Sequence, residues 1–236
     1  ESASPMSPAR SVSTGKPPRE LGGADRHALL QQSALRLGVD LDAPQLDLLL
    51  RYLDLIQKWN KVYNLTALRD PADMLTHHLM DSLAVLAPLR RQTQGQGGRL
   101  LDVGSGAGLP GVVIAICCPE LAVTCVDTVA KKAAFVQQVA AELKLSNLCG
   151  LHARVESLIE PFDVISSRAF ASLADFTVWS ASALATGGVW LAMKGKRPDD
   201  EIAALPATVE MFHVEQLGVP GLDAERCIVW LRKKPA

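Results

Sequence analysis

The sequence predicts an α/β protein: a doubly wound, mostly parallel sheet whose last strand is antiparallel, preceded by a helical N-terminal extension. Three observations carry this. Beyond Gly98, short apolar segments alternate with segments of helical periodicity, the pattern of a parallel sheet covered on both faces by helices. The last two apolar segments, "TVEMFHVEQLGV" and "RCIVWLRKK", are joined by a short loop and therefore pair antiparallel. Between Arg26 and Arg90 the apolar residues recur at helical spacing without strand-like alternation.

In chain order, residues 1–25, "ESASPMSPARSVSTGKPPRELGGAD", are rich in Ser, Pro, Gly and Ala and read as a disordered tail. Their "TGKPP" is no phosphate loop, because it lacks the upstream glycine and the Ser or Thr after the lysine. Residues 26–90 form the helical extension. Asp42 can cap a helix with Pro44 in its first turn, and Leu46, Leu49, Leu50, Leu53, Ile56 and Trp59 share one face, so Trp59 reads as core rather than as a base-stacking surface. A second helix starts at Asp70 and Pro71, with Leu75, Leu79, Ser82, Leu83 and Leu86 on one side. The polar "RRQTQGQGG" separates it from a Rossmann-like domain, 91–236. Strands are expected near 99–104, 122–127, 149–154, 162–167, 188–194, 208–217 and 226–232, and helices near 110–118, 130–145, 172–185 and 198–204.

With 24 Lys plus Arg against 25 Asp plus Glu, the net charge is −1, so nucleic-acid binding must come from local patches. No apolar run reaches the roughly 18 to 20 residues that cross a bilayer, and the beginning of the sequence has no secretory apolar core, so no membrane association and a cytoplasmic location are expected. Cys117, Cys118, Cys125, Cys149 and Cys227 are odd in number, lack Cys-x-x-Cys spacing and lie in apolar segments. Reduced, buried thiols are expected rather than disulfides, zinc ligands or a redox pair.

"DVGSGAGLPG" follows a strand and opens a helix, the setting in which Gly104, Gly106 and Gly108 let backbone approach a ligand. Asp102, two positions before the first glycine, would repel a pyrophosphate and suits a cationic amino acid moiety. Asp127 ends the second strand at the distance where a carboxylate accepts ribose hydroxyls. Together they favour S-adenosylmethionine over a dinucleotide, although Asp127 serves NAD equally well. The third strand ends in "HARVESL". Val155 there can pack on an adenine and Glu156 can meet its exocyclic amine, or Glu156 simply starts a helix.

Strand four ends in "FDVISSRAF", without the Asn or Asp and paired prolines found in many methyltransferases acting on exocyclic amines, and without a cysteine for attack on a base carbon. Arg168 stands there, and strand five ends in "AMKGKRP", adding Lys194, Lys196 and Arg197. These cations suit the phosphates of a polynucleotide, though a solvated basic turn has the same composition. His77 and Asp81 lie one helical turn apart, but two ligands make no metal site, and none is assigned.

The ordered motifs "WNKVYNLT", "HHLMDSL", "LDVGSGAGLPG", "VDTVAKKAAF", "ARVE", "SSRAF" and "MKG" resemble those of the bacterial 16S ribosomal RNA guanine-N7 methyltransferase family, also called glucose-inhibited division protein B, over about Leu46 to Lys233. The resemblance implies a class I methyltransferase, S-adenosylmethionine as donor with S-adenosylhomocysteine as product, and a guanine of small-subunit rRNA or of the 30S particle as acceptor. It implies cofactor contacts from Gly104 and Leu109 of the turn, from Val155 and Glu156, and from Arg168, and Asp127 and Thr128 fit its second motif; Asp102, Ser105, Gly106 and Gly108 are cofactor candidates from the turn itself. Ala107 stands where many relatives carry proline. The helix holding His77, with Asn64, borders the implied cleft, so Asn64 and His77 join Arg168, Lys194, Lys196 and Arg197 as candidates for positioning the substrate.

Guanine N7 already presents a lone pair, so transfer needs no prior deprotonation, and no acid or base residue is assigned. Two rival readings are an NAD-dependent oxidoreductase, which lacks a Tyr-x-x-x-Lys pair here, and a non-catalytic RNA-binding ribosome-assembly protein, which has no need of an intact glycine turn. The near-neutral charge suggests a structured or ribonucleoprotein substrate. With no exposed heptad pattern or long edge strand, a monomer is expected.

Overall fold

Two helices of the extension start at side-chain caps, Asp42 and Asp70. The computed structural model describes residues 22–168 and 170–236, so the expected tail falls outside the described residues over 1–21. Its last three residues, Gly23 to Asp25, instead open helix α1, Gly23–Arg36. Helix α2, Ala43–Tyr63, starts at a reciprocal cap: Asp42 Oδ1 accepts from the Gln45 N–H at 2.8 Å, and Gln45 Oε1 accepts from the Asp42 N–H at 3.1 Å. The apolar spacing holds, with Leu46, Leu49, Leu50, Leu53 and Ile56 buried; Tyr52 and Asn60 join that face.

The second helix starts as expected, Asp70 Oδ1 accepting from the Ala72 N–H at 2.9 Å, but does not run through as one α-helix. It divides into α3, Pro71–Met74, a π-wound stretch, Leu75–Met80, and α4, Asp81–Leu83, with α5, Leu86–Thr93, following. Leu75, Leu79, Ser82, Leu83 and Leu86 are nevertheless all buried, so the expected face survives the π widening.

The sheet comprises β1 (Gly98–Val103), β2 (Leu121–Asp127), β3 (Leu148–His152), β4 (Phe162–Arg168), β5 (Leu184–Lys194), β6 (Val209–Leu217) and β7 (Arg226–Lys233). Between them run α6 (Gly111–Cys117), α7 (Ala130–Glu142), α8 (Leu173–Ser180) and α9 (Asp199–Ala203). The order is β3-β2-β1-β4-β5-β7-β6, and β7 alone is antiparallel, to both β5 and β6. Each element matches an expected one. The helix expected over 172–185 ends as α8 at Ser180, and β5 begins at Leu184, four residues before the expected 188, so that it takes in Gly187 as well as Gly188. The register with β4 shifts between Phe162 and Val164, so the strand accommodates both glycines at an irregularity.

β1 lies between β2 and β4, so connections leave it in opposite directions and open a crevice at the carboxyl ends of these strands. Successive residues feed two cores. Leu100 and Val123 pack with Leu49, Leu53, Ile56, Val113 and Val136, while Leu101, Val103, Ile165, Phe176 and Trp190 form the layer on the other face. The extension thus shares a core with one face of the sheet.

Cys117, Cys118, Cys125 and Cys227 are buried and free, and burial pushes the Cys117 and Cys118 thiols up to about 12 and about 11. Cys149 departs from the expectation. It lies on the edge strand β3 and is exposed. Among the described residues no helix is long and apolar enough to cross a membrane.

Candidate active site

The turn after β1 carries positive φ at Gly104 (+63), Gly106 (+57) and Gly108 (+96), values that side-chain-bearing residues rarely adopt. The three glycines do different work. A Cβ on Gly104 would meet Phe170 Cδ2 at 2.3 Å, and one on Gly108 would meet Val112 Cγ2 at 2.4 Å, so both positions are closed by packing. Around Gly106 a Cβ would find nothing within 4 Å, which leaves that backbone open to a ligand.

Two carboxylates hold the turn. Asp127, ending β2, accepts from the Gly106 N–H at 3.0 Å through Oδ2 and from the Val129 N–H at 2.8 Å through Oδ1; each oxygen keeps a lone pair for a ribose hydroxyl. Asp102 corrects the sequence expectation. It is fully buried, with one oxygen accepting from the Gly111 N–H (2.9 Å) and the other from the Ser166 hydroxyl (2.8 Å). Its carboxylate therefore fastens α6 and β4 to β1 rather than facing a cationic ligand. Burial pushes its pKa up to about 7, against the pull of the Ser166 and Gly111 hydrogen bonds.

Three cavities follow one another along the crevice. The first, about 440 Å³, is lined by Gly104, Asp127, Thr128, Val155, Glu156 and Phe170, among others. The second, about 120 Å³, shares Gly104 and is bounded by Ser105, Gly106 and Leu109 below and by Leu65, Thr66 and His78 of the extension. The third, about 350 Å³, is reached past His78 and Arg168, which border both, and adds His77, Asp81, Lys194 and Arg226. Arg168 is fixed at this junction: its Nη1 donates to the His77 carbonyl at 3.1 Å and to Asp81 Oδ2 at 3.4 Å. Asp81, almost fully buried, also accepts from Arg226 Nε at 3.2 Å, so two guanidinium groups share one carboxylate.

Not every predicted residue reaches the crevice. Lys194 borders the third cavity, but its ammonium donates to the Ala171 carbonyl (2.9 Å) and to Glu201 (3.0 Å) and so braces the start of α8. Asn64 is an exposed left-handed cap of α2 that accepts from Arg69, Lys196 is exposed, and Arg197 pairs with Asp199; none of the three borders these cavities. Gly108 likewise serves packing. Residues the sequence reading missed are Tyr52, Thr66, His78, Asp81 and Arg226. Tyr52 donates from α2 to the Ala107 carbonyl of the turn at 2.5 Å, a contact across 55 positions that no local spacing reveals.

His78 carries a test of this environment. Its Nε2 shares a hydrogen bond with Thr66 Oγ1 at 3.1 Å, and burial, aided by Arg168 and His77, lowers its pKa from 6.5 to about 4. Below pH 6.5 the unfolded chain takes up this proton and the folded chain does not, so His78 costs stability as pH falls toward 4. Asp102 acts in the opposite sense, its contribution being present at low pH and lost as pH rises through about 7. His78→Leu should therefore lose less stability than the unsubstituted chain between about pH 6.5 and about pH 4.5, by about 2 kcal/mol, in urea unfolding. Parallel curves would place His78 in a wetter setting.

The residues present fit S-adenosylmethionine. A carboxylate for the ribose, an apolar wall at Val155 and an acceptor at Glu156 lie in one cavity, which passes over Gly104 to side-chain-free backbone at Gly106. The strand order with its antiparallel seventh strand, together with this turn, defines a class I S-adenosylmethionine-dependent methyltransferase. Solved structures share the fold: N-methyltransferase NodS from Bradyrhizobium japonicum WM9 in complex with S-adenosylhomocysteine (TM-score 0.55, 14% identity, covering 76% of this chain and 100% of that one) and TrmN from Thermus thermophilus (TM-score 0.54, 22% identity, covering 65% and 49%). The chain belongs to the family described as rRNA small subunit methyltransferase G (GidB), whose model matches residues 45–229. It is 69% identical over 214 residues to ribosomal RNA small subunit methyltransferase G of Acidovorax ebreus (strain TPSY), covering 87% of this chain and 94% of that protein. It is 70% identical over 204 residues to the protein of that name from Polaromonas sp. (strain JS666), covering 85% and 90%.

Proposed function

We propose that this chain transfers a methyl group from S-adenosylmethionine to N7 of a guanine in small-subunit ribosomal RNA. The observation that carries the acceptor side is the third cavity, where Arg168 and Arg226 share a single buried carboxylate, leaving one positive charge beside the turn. Such a cavity draws in a nucleotide phosphate and orients the base attached to it. Family membership sets aside the NAD-dependent oxidoreductase, and the positive-φ glycine turn with Asp127 bonded across it supports an enzyme over a non-catalytic RNA-binding protein.

When bound, S-adenosylmethionine supplies an electrophilic methyl on a sulfonium. The chain's own residues bind and orient. Asp127 and Glu156 fix the two ends of the adenosine moiety, and the Gly104–Gly106 backbone leaves room beside it. Leu65, Thr66 and Leu109 line the narrow cavity between the two larger ones. Arg168, held by the His77 carbonyl and Asp81, positions the acceptor at the junction of the two cavities. N7 attacks with its own lone pair, so no residue has to remove a proton, and orientation supplies several kcal/mol of the rate.

The test is transfer of labelled methyl to deproteinised rRNA and to intact small subunits from a strain lacking this gene. Label should map to a guanine N7, with intact or structured particles the better acceptor. Single-turnover transfer should be flat from about pH 7.5 to about pH 8.5. Label on an exocyclic amine, or a rate that climbs tenfold per pH unit, would sink this reading.

A further inference from the structure

Beside the 440 Å³ cavity, two segments that touch carry cations, and the acids that flank them in sequence are engaged elsewhere: Asp54 with Arg26, Asp70 at the start of α3, Asp127 in the glycine turn and Glu142 with Gln138. Residues 55–69, the end of α2 and the loop after it, hold Lys58, Lys61 and Arg69; residues 128–141 hold Lys131 and Lys132. Among the described residues none of these five makes an ion pair. The segments meet where the Lys131 ammonium lies over the Tyr63 ring, 5.4 Å from its centroid. Trp59 braces this pair, its ring 5.3 Å from Tyr63 and 5.4 Å from Phe135 of α7.

The apolar side chains here are also unusually open. Val62 is 70% exposed, Val129 43% and Tyr63 41%, while Val129 and Lys132 border the cavity itself. A merely solvated helix face has no use for an aromatic ring and two valines among its lysines. An acidic peptide would satisfy the lysines but, by drawing Lys131 off the ring, would leave the Tyr63 face it now covers bare. An unstacked RNA strand meets both, with bases for the aromatic face and phosphates for the ammonium groups.

We propose that Tyr63 and Lys131 form a platform for a nucleotide flanking the target guanine, its base against Tyr63 and its phosphates at Lys131 and Lys132. The proposal rests on the RNA reading above. Residues 64–70 link the platform to the reaction site: Leu65 and Thr66 line the narrow cavity and Leu68 the acceptor cavity. A strand whose guanine enters beside Arg168 thus has this loop as its track to Tyr63.

The test uses the full chain with S-adenosylhomocysteine and deproteinised small-subunit rRNA from a strain lacking this gene, with filter retention at several salt concentrations. Tyr63→Ala should weaken RNA binding by between about fivefold and about a hundredfold, with Tyr63→Phe restoring it. Lys131→Ala should reduce the slope of log affinity against log salt by about 1. S-adenosylhomocysteine affinity, read by calorimetry, should be the same in all variants. Unchanged RNA affinity and unchanged salt slope in both alanine variants would overturn the platform, as would equal competition by polyglutamate and polyuridylate. Should Tyr63→Ala fail to fold, the Lys131→Ala slope decides. If the unsubstituted chain binds RNA with these dependences yet transfers no methyl, the proposed reaction fails and the platform stands; if it does not bind the RNA, the platform fails.

Discussion

Asp127→Ala weakens S-adenosylhomocysteine binding by about two orders of magnitude, or about 2.7 kcal/mol, in calorimetric titration. The expectation follows from what one carboxylate does. Its two oxygens tie the Gly106 N–H to the Val129 N–H, and so the turn after β1 to the start of α7. A hydrogen bond to a charged acceptor contributes about 1.5 to 3 kcal/mol, so loss of the proposed ribose contact accounts for the affinity, while the two turn bonds, made with or without ligand, set the cost in stability. Asp127→Asn keeps one acceptor oxygen and should fall between. An affinity within about twofold of the unsubstituted chain would remove Asp127 from the cofactor site.

Arg168→Ala should lower kcat/KM for the RNA acceptor by about 10² to 10³, a loss typical of removing one preorganised donor from a reaction site. Its effect on S-adenosylhomocysteine affinity should be smaller, because Arg168 borders the narrow cavity but not the adenosine cavity. The guanidinium meets two acceptors, the His77 carbonyl and Asp81, through Nη1 alone, which leaves the Nη2 and Nε donors for the acceptor nucleotide, and a lysine held at the same two acceptors has no such second nitrogen. Arg168→Lys should therefore recover little. Asp81 keeps Arg226 as its partner in the variant, so the stability cost should be that of a lost charged hydrogen bond, about 1.5 to 3 kcal/mol. Equal losses in cofactor affinity and in kcat/KM would make Arg168 a cofactor residue alone.

Much of this fold was legible in the sequence because its signals are local. Alternating apolar segments placed all seven strands, Asp42 and Asp70 announced two helix starts, and the glycine turn identified the ligand-bearing end of the sheet. The site was legible only where a motif is continuous in sequence. Asp102 was misplaced because an acidic residue before glycines looks the same whether it meets a ligand or Ser166, which lies 64 positions away. Asp81 and Arg226 are 145 positions apart, and their pairing is decided by where β7 inserts beside β5. Lys194 and Arg197 carried the right charge for RNA, but Glu201 and Asp199 claim them.

The hydrogen bond from Tyr52 to the Ala107 carbonyl has an implication for how such proteins can be recombined. A phenol buried in α2 closes the coordination of a peptide group in the ligand turn, with Phe135 of α7 stacked on it at 6.4 Å. The Rossmann-like portion is therefore no interchangeable module. Grafting it behind a different leading segment would strand that carbonyl without a donor and strip an apolar face of the sheet. The inherited unit is extension and sheet together, and chimeras should be joined before Gly23 rather than at the polar link before β1.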